Sequence, residues 1–376
     1  EANVVVIGAG SAGLVSSIIA AGAKAKVILI EKHRMGGDCL NTGCVPSKAI
    51  IRSARIADYI KRAAEFGIDG AKGQVNFPKV MERIQSVVKA IEPHDSVERY
   101  TSLGVECVAG EAMITSPWTV QVGERTITTR SIVLATGARP FVPPIPGLDK
   151  VDYLTSDSLW DLRELPKRLL VLGGGPIGCE LAQSFARLGA QVTIVDQALR
   201  IMPREDEDVA ELVMERFTRE GVRVLAGYKA DSFERDEQGG VLHVQGENER
   251  LALPFDKVLI AIGRKANVEG FGLEELQLPL TQRGTIEVNE YLQTVYPNIY
   301  ACGDVAGPYQ FTHMASYQAW FAVLNAMLGG LKKFRINYKV VPWATFTDPE
   351  VARVGLSEQE AKEQGIEYDL TRYGID

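Results

Sequence analysis

Residues 4–13 read VVVIGAGSAG and residues 169–178 read LLVLGGGPIG, so one pattern occurs twice in a chain of 376 residues. In each copy a short apolar run predicts a buried strand, and the glycines after it predict a turn into a helix. Each copy then reaches a second apolar run that ends in an acidic residue, Glu31 in the first and Asp196 in the second. The chain therefore contains an internal repeat of a strand–turn–helix–strand unit.

The spacing within the repeat is the same in both copies. The first glycine and the acidic residue are 23 positions apart in each (31 − 8 and 196 − 173). Further along, residues 132–137 (IVLATG) and 258–263 (VLIAIG) are β-rich runs that each close on a glycine. Other segments also predict regular structure: strands over 27–30, 192–195, 340–343 (VVPW) and 344–346 (ATF), and an apolar helix over 313–328. The repeat predicts an α/β fold with two tandem doubly wound, Rossmann-like dinucleotide-binding domains.

The glycines of the first copy have distinct predicted tasks. Gly8 permits the tight turn, Gly10 lets the backbone approach a pyrophosphate, and Gly13 lets the helix pack on the strand. The phosphates would bind the N–H groups at the helix N-terminus, and Glu31 would accept a hydrogen bond from a ribose hydroxyl. Asp196 would do the same in the second copy.

Composition narrows the function classes. The net charge of −7, from 41 basic and 48 acidic residues, argues against a nucleic-acid surface. Five cysteines are too few for a disulfide scaffold and indicate a reducing compartment, for which we expect the cytoplasm. No apolar run approaches the roughly 20 residues that span a bilayer, so no membrane segment is predicted in this chain.

A second informative stretch, residues 36–48, reads GGDCLNTGCVPSK. A structural disulfide does not suit a cysteine-poor chain. A zinc site needs four ligands, and no second Cys or His pair stands nearby. Two plain core thiols are at odds with the glycine and polar neighbours. The remaining interpretation is a small-ring, redox-active disulfide between Cys39 and Cys44.

The residues around Cys44 suit a helix start. Pro46 is typical of the first turn, which would place Cys44 at a helix N-terminus, where the helix dipole stabilises a thiolate. Lys48 follows one helical turn later on the same face. A cation at that position can tune both a flavin and a thiolate.

The two copies are predicted to hold different dinucleotides, because one cofactor alone makes no redox chain. The cysteine pair follows the first copy, so that copy should hold FAD, and the second should hold the nicotinamide. The carboxylate of Asp196 repels a 2′-phosphate and favours NAD(H) over NADP(H). The alternative is that the nearby Arg200 or Arg204 binds that phosphate.

These motifs, with residues 135–137 (ATG), 301–304 (ACGD) and 346–351 (FTDPEV), resemble those of the class I pyridine nucleotide–disulfide oxidoreductases. That group includes glutathione reductase, dihydrolipoamide dehydrogenase and mercuric reductase. The resemblance covers almost the whole chain, and its most specific part is the cysteine block. The last motif and the helix around 311–325 look most like mercuric reductases.

The resemblance implies roles for individual residues. Cys44 would face the flavin as the charge-transfer cysteine, Cys39 would be the interchange cysteine that meets the acceptor, and Lys48 would pair with Glu180. No metal ligands are implied. The implied cofactor-binding residues are Gly8, Gly10, Ser11, Ala12, Gly13, Glu31, Lys32, Gly37, Asp38, Lys48, Glu111, Ala112, Ala135, Thr136, Gly137, Gly303 and Asp304 for FAD, and Gly173, Gly175, Gly178, Asp196 and Gly263 for the nicotinamide.

The resemblance also implies a division into domains and an assembly. Residues 1–146 and 266–335 would form the two parts of an FAD-binding and central domain, residues 147–265 an NAD(P)-binding domain, and residues 336–376 the start of a truncated dimerisation domain. The full-length protein would be a homodimer. The family's C-terminal His–Glu pair, which acts as acid and base, has no counterpart near the end of this chain, so poor turnover on a disulfide is expected.

The predicted function is FAD-dependent NAD(P)H:disulfide oxidoreduction through the Cys39–Cys44 pair, with a small-molecule disulfide as acceptor. One alternative is a mercuric reductase-like enzyme whose acceptor is a thiophilic metal ion. Another is a flavoprotein redox module of a larger, membrane-attached protein, which the start at Glu1 instead of Met leaves open.

Overall fold

The computed structural model describes residues 1–235, 237 and 239–374. These residues divide into two compact units. The first unit contains Glu1–Pro46, Ile84–Arg139 and Arg264–Asn337, and the second contains Ser47–Arg83, Pro140–Gly263 and the residues from Tyr338 onward.

Strands and helices alternate through most of the chain, as the repeat predicts. The strands are β1 (Ala2–Ile7), β2 (Val27–Glu31), β3 (Val105–Ala109), β4 (Ala112–Ser116), β5 (Thr119–Val122), β6 (Arg125–Leu134), β7 (Ala138–Pro140), β8 (Tyr153–Leu154), β9 (Arg168–Leu172), β10 (Gln191–Asp196), β11 (Arg223–Ala226), β12 (Lys229–Glu234), β13 (Gly240–Gln245), β14 (Arg250–Phe255), β15 (Lys257–Ile260), β16 (Arg264–Ala266), β17 (Ile299–Ala301), β18 (Pro342–Thr345) and β19 (Val351–Val354). The α-helices are α1 (Ser11–Gly22), α2 (Gly37–Asn41), α3 (Cys44–Lys61), α4 (Phe77–Ile91), α5 (Val97–Ser102), α6 (Pro176–Leu188), α7 (Glu207–Arg219), α8 (Thr312–Leu328) and α9 (Glu358–Glu363).

The first unit is built on a parallel sheet with strand order β3-β2-β1-β6, and β17 adds to the far side of β6. The N-terminal half of β6 continues into an antiparallel meander with β5 and β4. In the register of the parallel part, Val4 lies opposite Val27 on one side and Ser131 on the other. Helix α1 packs against α8 on this sheet. Strand β1 is apolar from Val4 to Ile7 because both faces of the sheet are covered, one by α1 and α8 and the other by the meander and residues 266–288.

The second unit repeats the architecture. Its parallel sheet has the order β11-β10-β9-β15-β8, and β12, β13 and β14 form a separate antiparallel sheet. Each glycine turn therefore follows the central strand of its own sheet, β1 or β9. Ligands of open α/β sheets bind in the crevice at the carboxyl ends of such strands, where the strand order reverses.

Each unit has its own apolar core. In the first unit the core joins β1, β2 and β6 to the meander and to the irregular segment 266–288, with Val5, Ile132 and Ile286 fully buried. In the second unit Leu170 and Val258 pack with side chains of the antiparallel sheet. The irregular segment is thus structural, since its leucines and phenylalanine fill one side of the first sheet.

The predicted strands over 4–7, 27–30, 169–172 and 192–195 are confirmed, as is the helix over 313–328. The prediction of two strands within 340–346 was wrong. One strand, β18, covers Pro342–Thr345, and its antiparallel partner is β19. Local β-propensity marked the segment correctly, but the pairing partner lies beyond the Thr347–Glu350 turn.

No α-helix in the described part of the chain combines the length and the apolar composition needed to cross a bilayer. The assignment of 1–146, 147–265, 266–335 and 336–376 to separate cofactor-binding and dimerisation domains stays a prediction, because compactness alone identifies no ligand. Residues 375 and 376, at the end of the last predicted segment, lie outside the described residues.

Candidate functional site

The first glycine loop joins β1 to α1 and leaves no room for side chains at two positions. Gly8 has a φ of +99°, and a Cβ there would lie 2.4 Å from the carbonyl oxygen of Ala135. A Cβ on Gly13 would lie 1.8 Å from the carbonyl oxygen of Gly8. Gly10 caps α1 without a side-chain hydrogen bond, which leaves the N–H groups of the first helical turn for a ligand. This loop fits a dinucleotide pyrophosphate.

Glu31, at the end of β2, is oriented by the backbone. One carboxylate oxygen accepts the N–H of Ala9 at 2.7 Å, and the other accepts the N–H of His33 at 2.7 Å. Carboxylate oxygens retain further lone pairs in this arrangement, so a ribose can still donate to them. Nearby, the predicted cofactor residues Lys32 and Glu111 form an exposed ion pair at 3.8 Å.

The cysteine block lies directly against this loop. The N–H of Gly36 donates to the carbonyl oxygen of Ala9 at 2.9 Å. Gly37 has a φ of +54°, and a Cβ on it would lie 2.6 Å from the Cα of Gly10. The absence of a side chain at Gly37 therefore lets the two segments touch. The spacing in sequence gave no sign of this contact.

Cys44 is the first residue of α3, as predicted, and Cys39 lies on the short helix α2. Both are thiols in this structure, and both are partly buried. Cys39 hydrogen bonds to Cys44, and this bond, then burial, then the charge of Cys44 raise the pKa of the Cys39 thiol. The side chains of Thr312 and Ser11 also hydrogen bond to Cys39 and oppose that rise in pKa.

Thr312 is a site residue that the sequence did not reveal. Its Oγ1 lies 3.1 Å from the Sγ of Cys44, across 268 positions of sequence. It is the first residue of α8. A polar residue at a helix start was the one available signal, and many helices begin that way.

Asp38 and Asp304, both predicted to bind the cofactor, face one guanidinium group. Arg264 forms an ion pair with Asp38, donates to the carbonyl oxygen of Ala138 at 2.7 Å, and places its Nε 3.5 Å from Asp304. Burial raises the pKa of the Asp304 carboxyl, and Arg264 only partly opposes this rise. Gly303 is fixed next to Asp304 by the side chain of Gln318, which accepts its N–H at 2.6 Å.

The turn after β6 also belongs to the first unit. The N–H of Ala135 donates to Ile7, and Thr136 donates its hydroxyl to the carbonyl oxygen of Asn267 at 2.8 Å. Gly137 has a φ of +69°. The predicted residues Ser11, Ala12 and Ala112 lie respectively at the start of α1, within its first turn, and at the start of β4.

The second glycine loop repeats the first in the second unit. A Cβ on Gly173 would lie 2.4 Å from the carbonyl oxygen of Ala261, and one on Gly178 would lie 1.9 Å from that of Gly173. Gly175 caps α6. The carboxylate of Asp196 accepts the N–H of Gly174 at 2.6 Å. The other predicted residue, Gly263, has a φ of +134°.

Lys48 and Glu180, which the sequence analysis predicts to pair, do so within the second unit. The Nζ of Lys48 donates to Glu180 at 3.0 Å. The other carboxylate oxygen of Glu180 accepts the backbone N–H of Phe346 at 2.9 Å, and the Phe346 ring centroid lies 4.3 Å from the Nζ of Lys48. Phe346 was recognised in sequence only as part of a motif, and the structure adds its contacts with both charges.

One acidic trio among the described residues has the spacing of metal ligands, namely Asp58, Glu220 and Asp348. Arg187 is paired with all three, at 3.7, 2.6 and 2.6 Å, and Arg216 also contacts all three. The carboxylates thus have arginine partners, and we assign the trio to a buried ion-pair network.

Together, the fold and these sites define a dinucleotide-binding oxidoreductase with a dithiol beside its first glycine loop. Residues 2–319 match the family described as pyridine nucleotide-disulphide oxidoreductase, and residues 341–375 match its dimerisation domain. The chain belongs to this family of flavin- and pyridine nucleotide-dependent oxidoreductases.

Its relatives include proteins named mercuric reductase and proteins named dihydrolipoyl dehydrogenase. The mercuric reductase of Staphylococcus aureus is 35% identical over 98% of this chain, and the chain covers 66% of that protein. The chain covers 59% of the mercuric reductase of Bacillus cereus, which is 36% identical. The chain thus spans about three fifths to two thirds of the length of these two relatives. The dihydrolipoyl dehydrogenase of Chlamydia muridarum is 37% identical over 98% of the chain, which covers 79% of that protein.

Among solved structures, the HOCl-induced flavoprotein disulfide reductase RclA from Escherichia coli is similar, with a TM-score of 0.83 and 30% identity. The match covers 96% of this chain and 79% of that one. A Cu(II) complex of the same reductase matches equally well.

Proposed function

We propose that this chain carries out the NADH-dependent, FAD-mediated reduction of a disulfide between Cys39 and Cys44, which then reduces an acceptor. The single observation that carries this proposal is the packing of the cysteine block on the first glycine loop. A Cβ on Gly37 would lie 2.6 Å from the Cα of Gly10, so a dinucleotide on that loop would be held next to the dithiol. FAD supplies two-electron transfer between nicotinamide and disulfide when bound.

The chain's own residues would bind and orient the reactants. The N–H groups of the first turn of α1 and the carboxylate of Glu31 would hold the pyrophosphate and a ribose of FAD. Asp304 would bond the ribityl or phosphate portion, with Arg264 fixing its carboxylate. We propose these as the cofactor-binding residues of the first unit, together with the other residues implied by the family resemblance.

Lys48 would supply a fixed positive charge. Its ammonium group is held by Glu180 at 3.0 Å and lies over the ring of Phe346. A half-exposed lysine without such partners would sample many rotamers, at a cost in side-chain entropy when it is ordered. We therefore propose Lys48 as catalytic and Glu180 as the residue that positions it.

The geometry of the second loop favours NADH. Asp196 is held toward the loop by two backbone N–H groups, from Gly174 at 2.6 Å and Ala198 at 2.7 Å. Arg200, one of the two alternative phosphate ligands, donates instead to the carbonyl oxygen of Glu205 at 3.0 Å and to the side chain of Gln359 at 2.7 Å. A 2′-phosphate would therefore face the Asp196 carboxylate while Arg200 is engaged elsewhere, and binding of the phosphate by Arg204 stays the alternative.

Two acceptor classes follow from the chemistry of the pair. The leading proposal is a small-molecule disulfide, which the Cys39 thiolate would attack by thiol–disulfide exchange. The second is a thiophilic metal ion, favoured by the mercuric reductases among the relatives and by the Cu(II) complex of RclA. We further propose that the full-length protein is a homodimer, on the basis of the dimerisation-domain match.

An anaerobic titration of the FAD-loaded protein with NADH tests the proposal. The expected result is a long-wavelength absorption band from a thiolate beside oxidised flavin after the addition of two electrons. Cys44→Ser should abolish the band, whereas the control Cys107→Ser, on β3, should retain it. Bleaching of the flavin without the band in the unaltered protein would contradict the proposal. Lipoamide, glutathione disulfide, Hg(II) and Cu(II), offered to the reduced protein, would then identify the acceptor class.

A further inference from the structure

The hydroxyl of Thr312 can hydrogen bond to both members of the cysteine pair. Its Oγ1 lies 3.1 Å from the Sγ of Cys44, and it also hydrogen bonds to the side chain of Cys39. Cys44 and Thr312 are 268 positions apart in sequence, so the tertiary fold brings them together. It makes a threonine the shared polar partner of both sulfurs.

The chemistry of the three groups decides the direction of the hydrogen bonds. A hydroxyl has one proton to donate and two lone pairs, a thiol has one proton, and a thiolate can only accept. If Cys44 is the thiolate, Thr312 must donate to it. Cys39, when it is a thiol, can donate to the same thiolate. A hydrogen bond to a charged acceptor is about twice as strong as a neutral one, so donation by Thr312 favours the thiolate form of Cys44.

The helices that begin at Cys44 and Thr312 also favour a negative charge on the Cys44 sulfur. Helix α3 begins at Cys44 and helix α8 begins at Thr312, and neither has an acidic residue in its first turn. The cap of α8, Phe311, makes no side-chain capping bond. The positive ends of two helices thus meet at the Cys44 sulfur, where negative charge is stabilised.

Other titratable groups on these elements have partners of their own. On α3, Lys48 follows Cys44 by one turn and is paired with Glu180 at 3.0 Å. On α2, Asp38 precedes Cys39 and is paired with Arg264. On α8, His313 follows Thr312 and stacks on the ring of Phe311, with the ring centroids 5.4 Å apart. Ser11 of α1 hydrogen bonds to Cys39 and carries no charge.

We propose that Thr312 is a positioning residue whose hydroxyl donates a hydrogen bond to the sulfur of Cys44 and thereby stabilises the Cys44 thiolate of the reduced pair. The inference rests on the proposed function, since it concerns the dithiol form of the same pair. It assigns to α8 a part in the redox site that is separate from any contact with the cofactor.

The test uses a Cys39→Ser background, in which Cys44 is the one remaining member of the pair. The pH midpoint of the thiolate–flavin band is measured in the FAD-loaded protein, and that of the ultraviolet thiolate absorbance in the flavin-free protein. The contribution of Cys107, Cys179 and Cys302 to the ultraviolet absorbance is measured in a Cys39→Ser, Cys44→Ser protein and subtracted. Thr312→Val, Thr312→Ser and the control Ser316→Ala are added singly to this background.

Thr312→Val should raise the midpoint by about one pH unit or more, which corresponds to about 1.4 kcal/mol per unit. Thr312→Ser should restore it, because serine keeps the hydroxyl. Ser316→Ala should not move it, since that hydroxyl bonds only within α8, to the carbonyl oxygen of Thr312 at 3.2 Å. An unchanged midpoint in Thr312→Val would overturn the proposal, as would a serine variant that behaves like valine.

The two measurements separate this inference from the proposed function. If the long-wavelength band appears in the background protein but its midpoint ignores Thr312, the inference fails and the proposed function stands. If no band appears at any pH while the ultraviolet midpoint moves with Thr312, the hydroxyl stabilises the thiolate and the placement of Cys44 beside the flavin is contradicted.

Discussion

Replacing Arg187 by methionine should destabilise the second unit by about 3 kcal/mol at neutral pH. The side chain of Arg187 is 4% exposed and contacts three carboxylates, two of them at 2.6 Å. Removing one partner of a buried ion pair costs roughly 3–5 kcal/mol, because the remaining charges stay buried without compensation. We take the lower end of that range, since Asp348 is 33% exposed and Arg216 still faces the trio.

The loss should depend on pH with a defined sign. Burial alone would raise the pKa of the Asp348 carboxyl, but the hydrogen bond and the charge of Arg187 outweigh it, and the pKa lies below its ordinary value. A carboxyl with a depressed folded-state pKa adds stability above its unfolded pKa of about 3.9, and the addition is lost as pH falls through the folded value. The difference between Arg187→Met and the unaltered protein should therefore shrink below about pH 4.

Urea unfolding at a series of pH values measures this effect. The matched control is Arg219→Met on α7. The Arg219 side chain is 72% exposed, and among the described residues its ion-pair partner is Glu215, one turn earlier. Exposed helix pairs contribute about 0.3–0.5 kcal/mol, so the control should barely change the urea midpoint. If both variants lose the same stability, or if the loss in Arg187→Met is constant between pH 7 and pH 3, the network does not stabilise the fold as argued.

Four further substitutions test the candidate sites. Glu180→Gln should slow flavin reduction by NADH roughly 10- to 100-fold in stopped-flow measurements, because a hydrogen bond between charged groups contributes about 1.5–3 kcal/mol to holding Lys48; an unchanged rate would remove Glu180 from the site. Gly10→Ala should leave the urea midpoint nearly unchanged, since the added Cβ would lie 3.9 Å from the Cα of Gly37, but it should lower the amount of FAD bound per chain. Gly13→Ala should lower both the urea midpoint and the bound FAD, since its Cβ would lie 1.8 Å from the carbonyl oxygen of Gly8. Asp196→Asn should raise the NADPH-to-NADH ratio of kcat/KM roughly tenfold or more, since like-charge contacts cost several kcal/mol, and a constant ratio would contradict the assignment.

The local part of this structure was predictable because it repeats. In each copy the acidic residue accepts a backbone N–H from the residue 22 positions before it, Ala9 for Glu31 and Gly174 for Asp196. The strand, the glycine turn and the acidic residue are all set by neighbours within about 25 residues. Pattern and spacing therefore contain the information needed to predict them.

The long-range contacts were not predictable in the same way. Thr312 reaches Cys44 across 268 positions, and Arg264 reaches Asp38 across 226. Asp38 was expected to bind the cofactor, and the structure gives its carboxylate an arginine partner that no local pattern indicates. The Lys48–Glu180 pair spans 132 positions and was expected only through the family resemblance. Such contacts depend on how helices and sheet pack, which a single sequence does not specify position by position.

In the first unit, the first glycine loop and the segment around Gly36 and Gly37 hold each other in position. Gly37 adopts a φ of +54°, and its missing side chain lets it meet Gly10. The bond from the Gly36 N–H to Ala9 fixes the same contact from the other side. The loop that we propose to bind a cofactor phosphate is therefore in direct contact with the helix that begins at Gly37. The segment that contains Cys39 is thus held against the first glycine loop, and we expect the spacing from Gly37 to Cys39 to matter to the proposed redox site as much as the sulfurs do.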